Sequence, residues 1–370
     1  MTSKPSNSSV RPLAGLKVLD FSTLLPGPFA SLILAEAGAE VIKIERPVRG
    51  DDMRSYDPKL GADSANFVLL NRGKSSVALD LKNPDDNAEA RKLAIGADII
   101  IEQFRPGVMA RLGLGYDDLA RENPRVIYCS ITGYGQNGPK AKVAAHDLNY
   151  VAEAGLLSLV ADLDGTPTLP PLPLADIGGG SYPAIMNVFL ALYERERTGH
   201  GRYLDISMSD NVLPFLYWAI GNGALGHAPR PNAELITGGS PRYNIYRTRD
   251  GRFLAVAPLE PQFWAAFCLC LEIPQTAAAT EVAAHVAERD ADDWMRTFEG
   301  HDVCCSIVSS MDEAMNDPHF AARGMFSRTV SNGSQSMPAL PLPLADVYRD
   351  PELSRSSPAM PRTKAASLPK

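Results

Sequence analysis

An apolar stretch at residues 17–21, a Pro26-Gly27-Pro28 turn opening a helix that reaches Glu36, and a second apolar stretch at 41–45 set the architecture of this chain. Each stretch is apolar on successive rather than alternate residues, as strands buried on both faces must be. The unit is therefore the right-handed β-α-β start of a parallel sheet. The same signal returns at 98–102 (D-I-I-I-E) and 126–131, each after a helical stretch (85–94 and 116–121), and again at 203–208. Roughly the first 200 residues read as a doubly wound, Rossmann-like α/β domain.

A chain of 370 residues exceeds one ordinary core, so about two domains are expected. Residues 1–12 read as a flexible start, 13–222 as the large domain, 223–330 as a smaller α+β domain, and 331–370 as a segment returning to the large domain with a loosely held tail from Ser356. The smaller domain is entered where Gly, Pro, Asn and Ala crowd residues 223–241. It is built from a hairpin turning at Asp250-Gly251 and helices at 261–271, 291–298 and 310–315. A further helix is expected at 211–221.

The net charge of −7 gives no global attraction to nucleic acid. The polar start lacks the apolar core of a secretion signal, and no apolar run is long enough to span a membrane. Five cysteines without zinc-type spacing suit reduced thiols and a cytoplasmic protein. No glycine fingerprint follows the first strand, which removes most of the case for a nicotinamide cofactor. Basic residues nevertheless stand where strands are expected to end: Arg46, Arg72, Lys74 and Arg105. Ligands of open α/β sheets bind at that edge, and converging cations suit a phosphorylated handle.

One histidine and one carboxylate can meet on a small ligand. His146 ends a loop, with Asp147 and Asn149 expected to cap a helix over 148–160. Asp176 follows the extended run 170–174. Gly178, Gly179 and Gly180 are then expected to let the backbone pass close to a bound group before a helix at 183–197. The helix start would keep Asp176 ionised. An imidazole and a carboxylate so placed are the parts of a proton-transfer site. Taken singly, each has a plainer reading, as a structural histidine or a helix cap.

Several blocks in one order carry a family resemblance: L-P-G-P-F-A near Pro26, E-R-P at 45–47, N-R-G-K-S-S-V-A-L-D-L-K from Asn71, and F-R-P-G-V-M-A-R-L-G-L-G from Phe104. They continue with A-A-H-D-L-N-Y, A-D-I-G-G-G, G-G-S-P-R-Y, L-E-P-Q-F-W and D-P-H-F-A-A-R-G-M-F. The chain resembles the class III CoA-transferase (CaiB/BaiF) superfamily and, within it, the alpha-methylacyl-CoA racemases. The resemblance implies that His146 and Asp176 act on opposite faces of the α carbon of a 2-methyl-branched acyl-CoA, with Glu260 orienting the histidine.

It further implies a CoA site drawing on Arg46, Arg72, Lys74, Ala78, Leu79, Asp80, Leu81, Arg105, Asp147 and Tyr150. The assembly implied is an interlocked homodimer, and no metal or cofactor is implied beyond the CoA moiety of the substrate. Ser75-Ser76 stand where relatives usually carry another cation. Leu156, Leu157 and Tyr182 are candidates to line the acyl site. A CoA-transferase using Asp176 as nucleophile is the rival activity; the short stretch 237–241, where transferases typically carry a longer glycine loop, favours the racemase. A CoA-binding module without turnover is the third reading.

Overall fold

The computed structural model describes residues 11–162 and 164–361. The expected flexible start lies almost wholly outside them. Two compact units form among the described residues: one takes residues 11–154, Pro173–Pro214 and 318–361, the other Gly155–Leu172 and Phe215–Asp317. The second unit thus begins at Phe215 rather than 223, recruits an earlier segment, and hands the chain back at Pro318, before 331.

The first unit is organised by six strands: β1 (Lys17–Asp20), β2 (Glu40–Glu45), β3 (Ser75–Ala78), β4 (Ile99–Glu102), β5 (Ile127–Thr132) and β6 (Tyr203–Ser207). Their spatial order is β3-β2-β1-β4-β5-β6, with every neighbouring pair parallel. Central β4 and β5 are buried at every residue, which is why they show no polar alternation. Each isoleucine of β4 contributes roughly 1.5–3 kcal/mol by leaving water. Helix α1 (Pro26–Glu36), also buried throughout, opens with proline at its first position, where the missing N–H costs nothing. Helix α2 (Ala65–Asn71) precedes β3, and helix α3 (Pro84–Ile95) packs Ala90 and Ala94 into a core with Leu19, Ile44, Ile100 and Tyr128.

The returning segment forms a hairpin of Thr329–Asn332 with Gln335–Pro338, and Ser354–Ser356 adds a parallel strand to it. The tail is held further than expected: Gly73 N–H donates to the Ser356 carbonyl (2.9 Å) and Arg54 to that of Pro358 (3.3 Å). Residues from 362 lie outside the described part.

In the second unit, antiparallel strands Asn244–Arg247 and Phe253–Val256 turn at Gly251, whose φ of +82° is the left-handed conformation the Asp-Gly signal anticipates. A core of Trp264, Phe267, Trp294 and Phe298 joins helices Pro261–Leu271 and Ala291–Phe298. Helix Ala279–Val286 fills out the same core and was not anticipated. The helix expected at 211–221 is a 3₁₀ segment, Asp210–Leu216, around Pro214, followed by an α-helix at Tyr217–Ala224, because proline removes an interior donor. Among the described residues no helix is long and apolar enough to cross a membrane.

Candidate active site

The chain leaves β1 toward β2 and leaves β4 toward β5, in opposite directions across the sheet. That makes the carboxyl ends of β1 and β4 a topological switch point, where ligands of doubly wound sheets bind. A cleft of about 420 Å³ opens there, lined from β1 by Leu24 and Pro26, from β4 by Arg105, from β5 by Thr132, and by both His146 and Asp176. The expected histidine and carboxylate share one cavity.

Asp147 brings them together. Helix α4 (Asp147–Glu153) starts after His146, whose backbone N–H donates to Asn149 Oδ1 (3.0 Å). Asn149 is the cap that was expected. Asp147, also expected as a cap, reaches elsewhere: its Oδ1 accepts the N–H groups of Ala175 (2.7 Å) and Asp176 (3.0 Å). One carboxylate therefore ties the histidine loop to the aspartate segment. Helix α4 is shorter than the 148–160 expected, because Gly155 turns left-handed (φ +91°) before a short 3₁₀ turn at Leu156–Leu159.

Asp176 sits in the first turn of a π-helical stretch, Ala175–Ser181, that runs directly into helix α5 (Tyr182–Thr198). The glycines serve packing: a Cβ on Gly179 would lie 2.4 Å from the Met208 carbonyl oxygen, and one on Gly180 would lie 3.1 Å from Met208 Cγ and Pro26 Cβ. Close approach at these two is to the protein's own chain rather than to a bound group. The expectation of a firmly ionised Asp176 is also corrected. Burial, reinforced by the neighbouring Asp147 charge, pushes its carboxyl up to about 7, outweighing the helix start. Burial and the same carboxylates push Tyr150, whose hydroxyl donates to the Ala145 carbonyl (2.8 Å), up to about 12.

Of the cations, Arg105 lines the cleft and forms no ion pair among the described residues. Arg46 follows the carboxyl end of β2, in an exposed pair with Asp52 at 2.5 Å. Ala78 closes β3, and Leu79, Asp80 and Leu81 leave its carboxyl end. Arg72 and Lys74 instead precede β3, so they stand before a strand and not beyond one. Both are buried: Arg72 faces Glu36 at 3.4 Å, and Lys74 reaches Asp20 (3.6 Å), Asn71 Oδ1 (2.9 Å) and the Pro28 carbonyl (2.8 Å). They neutralise internal carboxylates, and neither lines the cleft. Burial lowers Lys74 to about 7.

Sequence reasoning passed over Lys43. Fully buried within β2, it pairs with Asp51 at 2.9 Å and donates to the Ser22 carbonyl (2.6 Å), while Asp51 accepts the Leu24 N–H (3.1 Å). This pair fixes the lip of the cleft, where Leu24 holds a φ of +62°. A lysine inside the apolar run E-V-I-K-I-E was the available signal.

Glu260 lies in the second unit and precedes helix Pro261–Leu271 as its cap residue, without a side-chain capping bond. Of the acyl candidates, Leu156 lines an apolar cavity of about 380 Å³ in the second unit, while Tyr182 is exposed on α5. Among the described residues no cluster of three or more His, Cys, Asp or Glu could hold a metal ion.

The profile of CoA-transferase family III matches residues 13–362. An alpha-methylacyl-CoA racemase of Mus musculus is 35% identical over 366 residues, covering 95% of this chain and 89% of the relative. An acetyl-CoA:oxalate CoA-transferase of Acetobacter aceti is also 35% identical, over 376 residues, covering 96% and 94%. Among solved structures, a CAIB/BAIF family protein from Brucella suis superposes with a TM-score of 0.82 at 28% identity, covering 95% of this chain and 97% of that one. Rv3272 from M. tuberculosis gives 0.81 at 27%, with the same coverage.

Proposed function

Because the chain belongs to CoA-transferase family III, we propose that it is a racemase that epimerises the α carbon of a 2-methyl-branched acyl-CoA by two-base 1,1-proton transfer. Overall identity does not separate this from CoA transfer, since a racemase and a transferase are equally similar. The observation that carries the reading is the cleft shared by His146 and Asp176, the latter with a carboxyl that burial and the Asp147 charge push up to about 7. A group that takes a proton in one direction and returns one in the other works best near the ambient pH. A carboxylate nucleophile gains nothing from holding a proton.

In this mechanism one residue removes the α proton from one face, leaving an enolate with its charge on the thioester oxygen, and the other returns a proton to the opposite face. The chemistry asks for two acid/base groups and the CoA moiety, and for no further cofactor. Arg105 and Arg46, with the loop from Ala78 to Leu81, are proposed to hold CoA at the carboxyl edge of the sheet. Tyr150 shapes the cleft, and Asp147 positions Asp176 and raises its pKa.

The test is NMR of a single epimer of a 2-methylacyl-CoA in D₂O with a free carboxylic acid present. Deuterium entering at C2 with inversion is the expected result. CoA moving to the added acid without exchange at C2 would establish the transferase, in which Asp176 attacks the thioester and expels CoA, CoA attacks the aspartyl carbonyl of the resulting anhydride to release the first acid and form an aspartyl-CoA thioester, and the added acid takes CoA by the same two steps in reverse.

The same reading includes a homodimer in which Glu260 of the partner subunit orients His146. Support comes from α5, which exposes Tyr182, Met186, Leu190 and Tyr193 along one side. An apolar stripe of that length suits a second copy of the chain. Sedimentation at micromolar concentration is expected to give twice the chain mass, and a single-chain mass would remove this part of the proposal.

A further inference from the structure

Along one face of β5 three hydroxyl groups follow each other at alternate residues: Tyr128, Ser130 and Thr132. The first two are satisfied by the protein itself. Tyr128 donates to the Leu114 carbonyl (3.1 Å), and Ser130 donates to the Glu102 carboxylate and accepts from Gln136 Nε2 (2.7 Å). Thr132, the last, is 6% exposed, and its Oγ1 finds no hydrogen-bond partner among the described residues. It is also the member of the three that lines the cleft beside His146 and Asp176.

A buried hydroxyl without a partner destabilises the fold, and valine would fill the same volume at a β-branched strand position without that cost. The cost is borne where a ligand can repay it. We propose that the Thr132 hydroxyl is a ligand contact, donating a hydrogen bond to a carbonyl oxygen of the bound acyl-CoA. That oxygen belongs either to the thioester or to an amide of the pantetheine arm. The assignment rests on the acyl-CoA reading above and adds a residue that no family motif pointed to.

The test is Thr132→Val with Thr132→Ser as its conservative partner, read by thermal midpoint without ligand and by calorimetric titration with free CoA and with a 2-methylacyl-CoA. Thr132→Val should keep or raise the midpoint and weaken acyl-CoA binding by about 5- to 10-fold, one neutral hydrogen bond. Thr132→Ser should bind within about 2-fold of the parent protein, since it retains the donor. Weakening confined to acyl-CoA identifies the thioester oxygen, and equal weakening for free CoA identifies the pantetheine arm. A lowered midpoint in Thr132→Val would show a structural partner for the hydroxyl, and unchanged affinities would show that no ligand uses it. Either overturns the assignment while leaving the acyl-CoA reading intact. Parent protein that binds neither ligand overturns both.

Discussion

Asp176→Asn is expected to lower inversion at C2 by roughly 10²- to 10⁴-fold, the usual worth of one positioned acid/base group, and at the same time to stabilise the fold above neutral pH. The second half follows from the direction of the shift. Burial and the Asp147 charge raise the carboxyl to about 7, so the native protein keeps a proton that the unfolded chain has already released. The stability linked to that proton is complete below the ordinary carboxylate range and is lost as pH rises through about 7. An amide never ionises, so the variant should exceed the parent midpoint most clearly above that pH. Asp147→Asn is the companion: Oδ1 can still accept the Ala175 and Asp176 N–H groups, but the charge is gone. The acid limb of the exchange profile should move to lower pH without reaching that of an ordinary carboxylate, because burial is the larger cause. Inversion at C2 within tenfold of the parent rate in Asp176→Asn would sink the two-base assignment.

The large unit was readable because its strands are apolar on both faces, which only a covered parallel sheet permits. What escaped was set by contacts between residues distant in sequence. Strand β3 begins Ser-Ser, which reads as loop. In the structure Ser76 donates to the buried carboxylate of Glu45, and only that partner makes a serine acceptable inside the sheet. Missing the strand put Arg72 and Lys74 at its wrong end. The glycine run after Asp176 looked like a ligand cradle because the segment at Met208 that two of its glycines pack against is some thirty residues away. The helix after His146 was drawn too long because apolar residues continue past Gly155 into what becomes a different unit. His146 and Asp176 stand out in the sequence by their loop and helix-start contexts, and the structure places both on one cleft. The bond network through Asp147 that unites them was not.

Arg54→Met should destabilise the fold by about 3–5 kcal/mol, the loss expected when one partner of a buried ion pair is removed and the other charge is left behind. The guanidinium is 5% exposed and grips Glu45 through two bonds of 2.7 Å, with Asp63 at 2.9 Å; it also lies over the Phe67 ring at 3.8 Å. Methionine roughly keeps the volume and leaves both buried carboxylates without the guanidinium that pairs with them. Burial alone would raise the Glu45 carboxyl, but the hydrogen bonds and charge of Arg54 outweigh it and hold the group below its ordinary range. Stability from that shift is present above the unfolded carboxylate value and is lost as pH falls through the folded one. The gap between variant and parent in urea unfolding should therefore be widest near neutral pH and narrow in acid, where the stranded carboxylates take up protons. Glu45 also accepts the Asp51 N–H (2.8 Å), and Asp51 in turn holds Leu24 at the cleft. The folded fraction of the variant should bind CoA more weakly for that reason alone. A loss below about 1 kcal/mol, the scale of a surface pair, or one equal at both pH values, would mean that Glu45 and Asp63 find other partners, and that the lip of the cleft does not depend on this guanidinium.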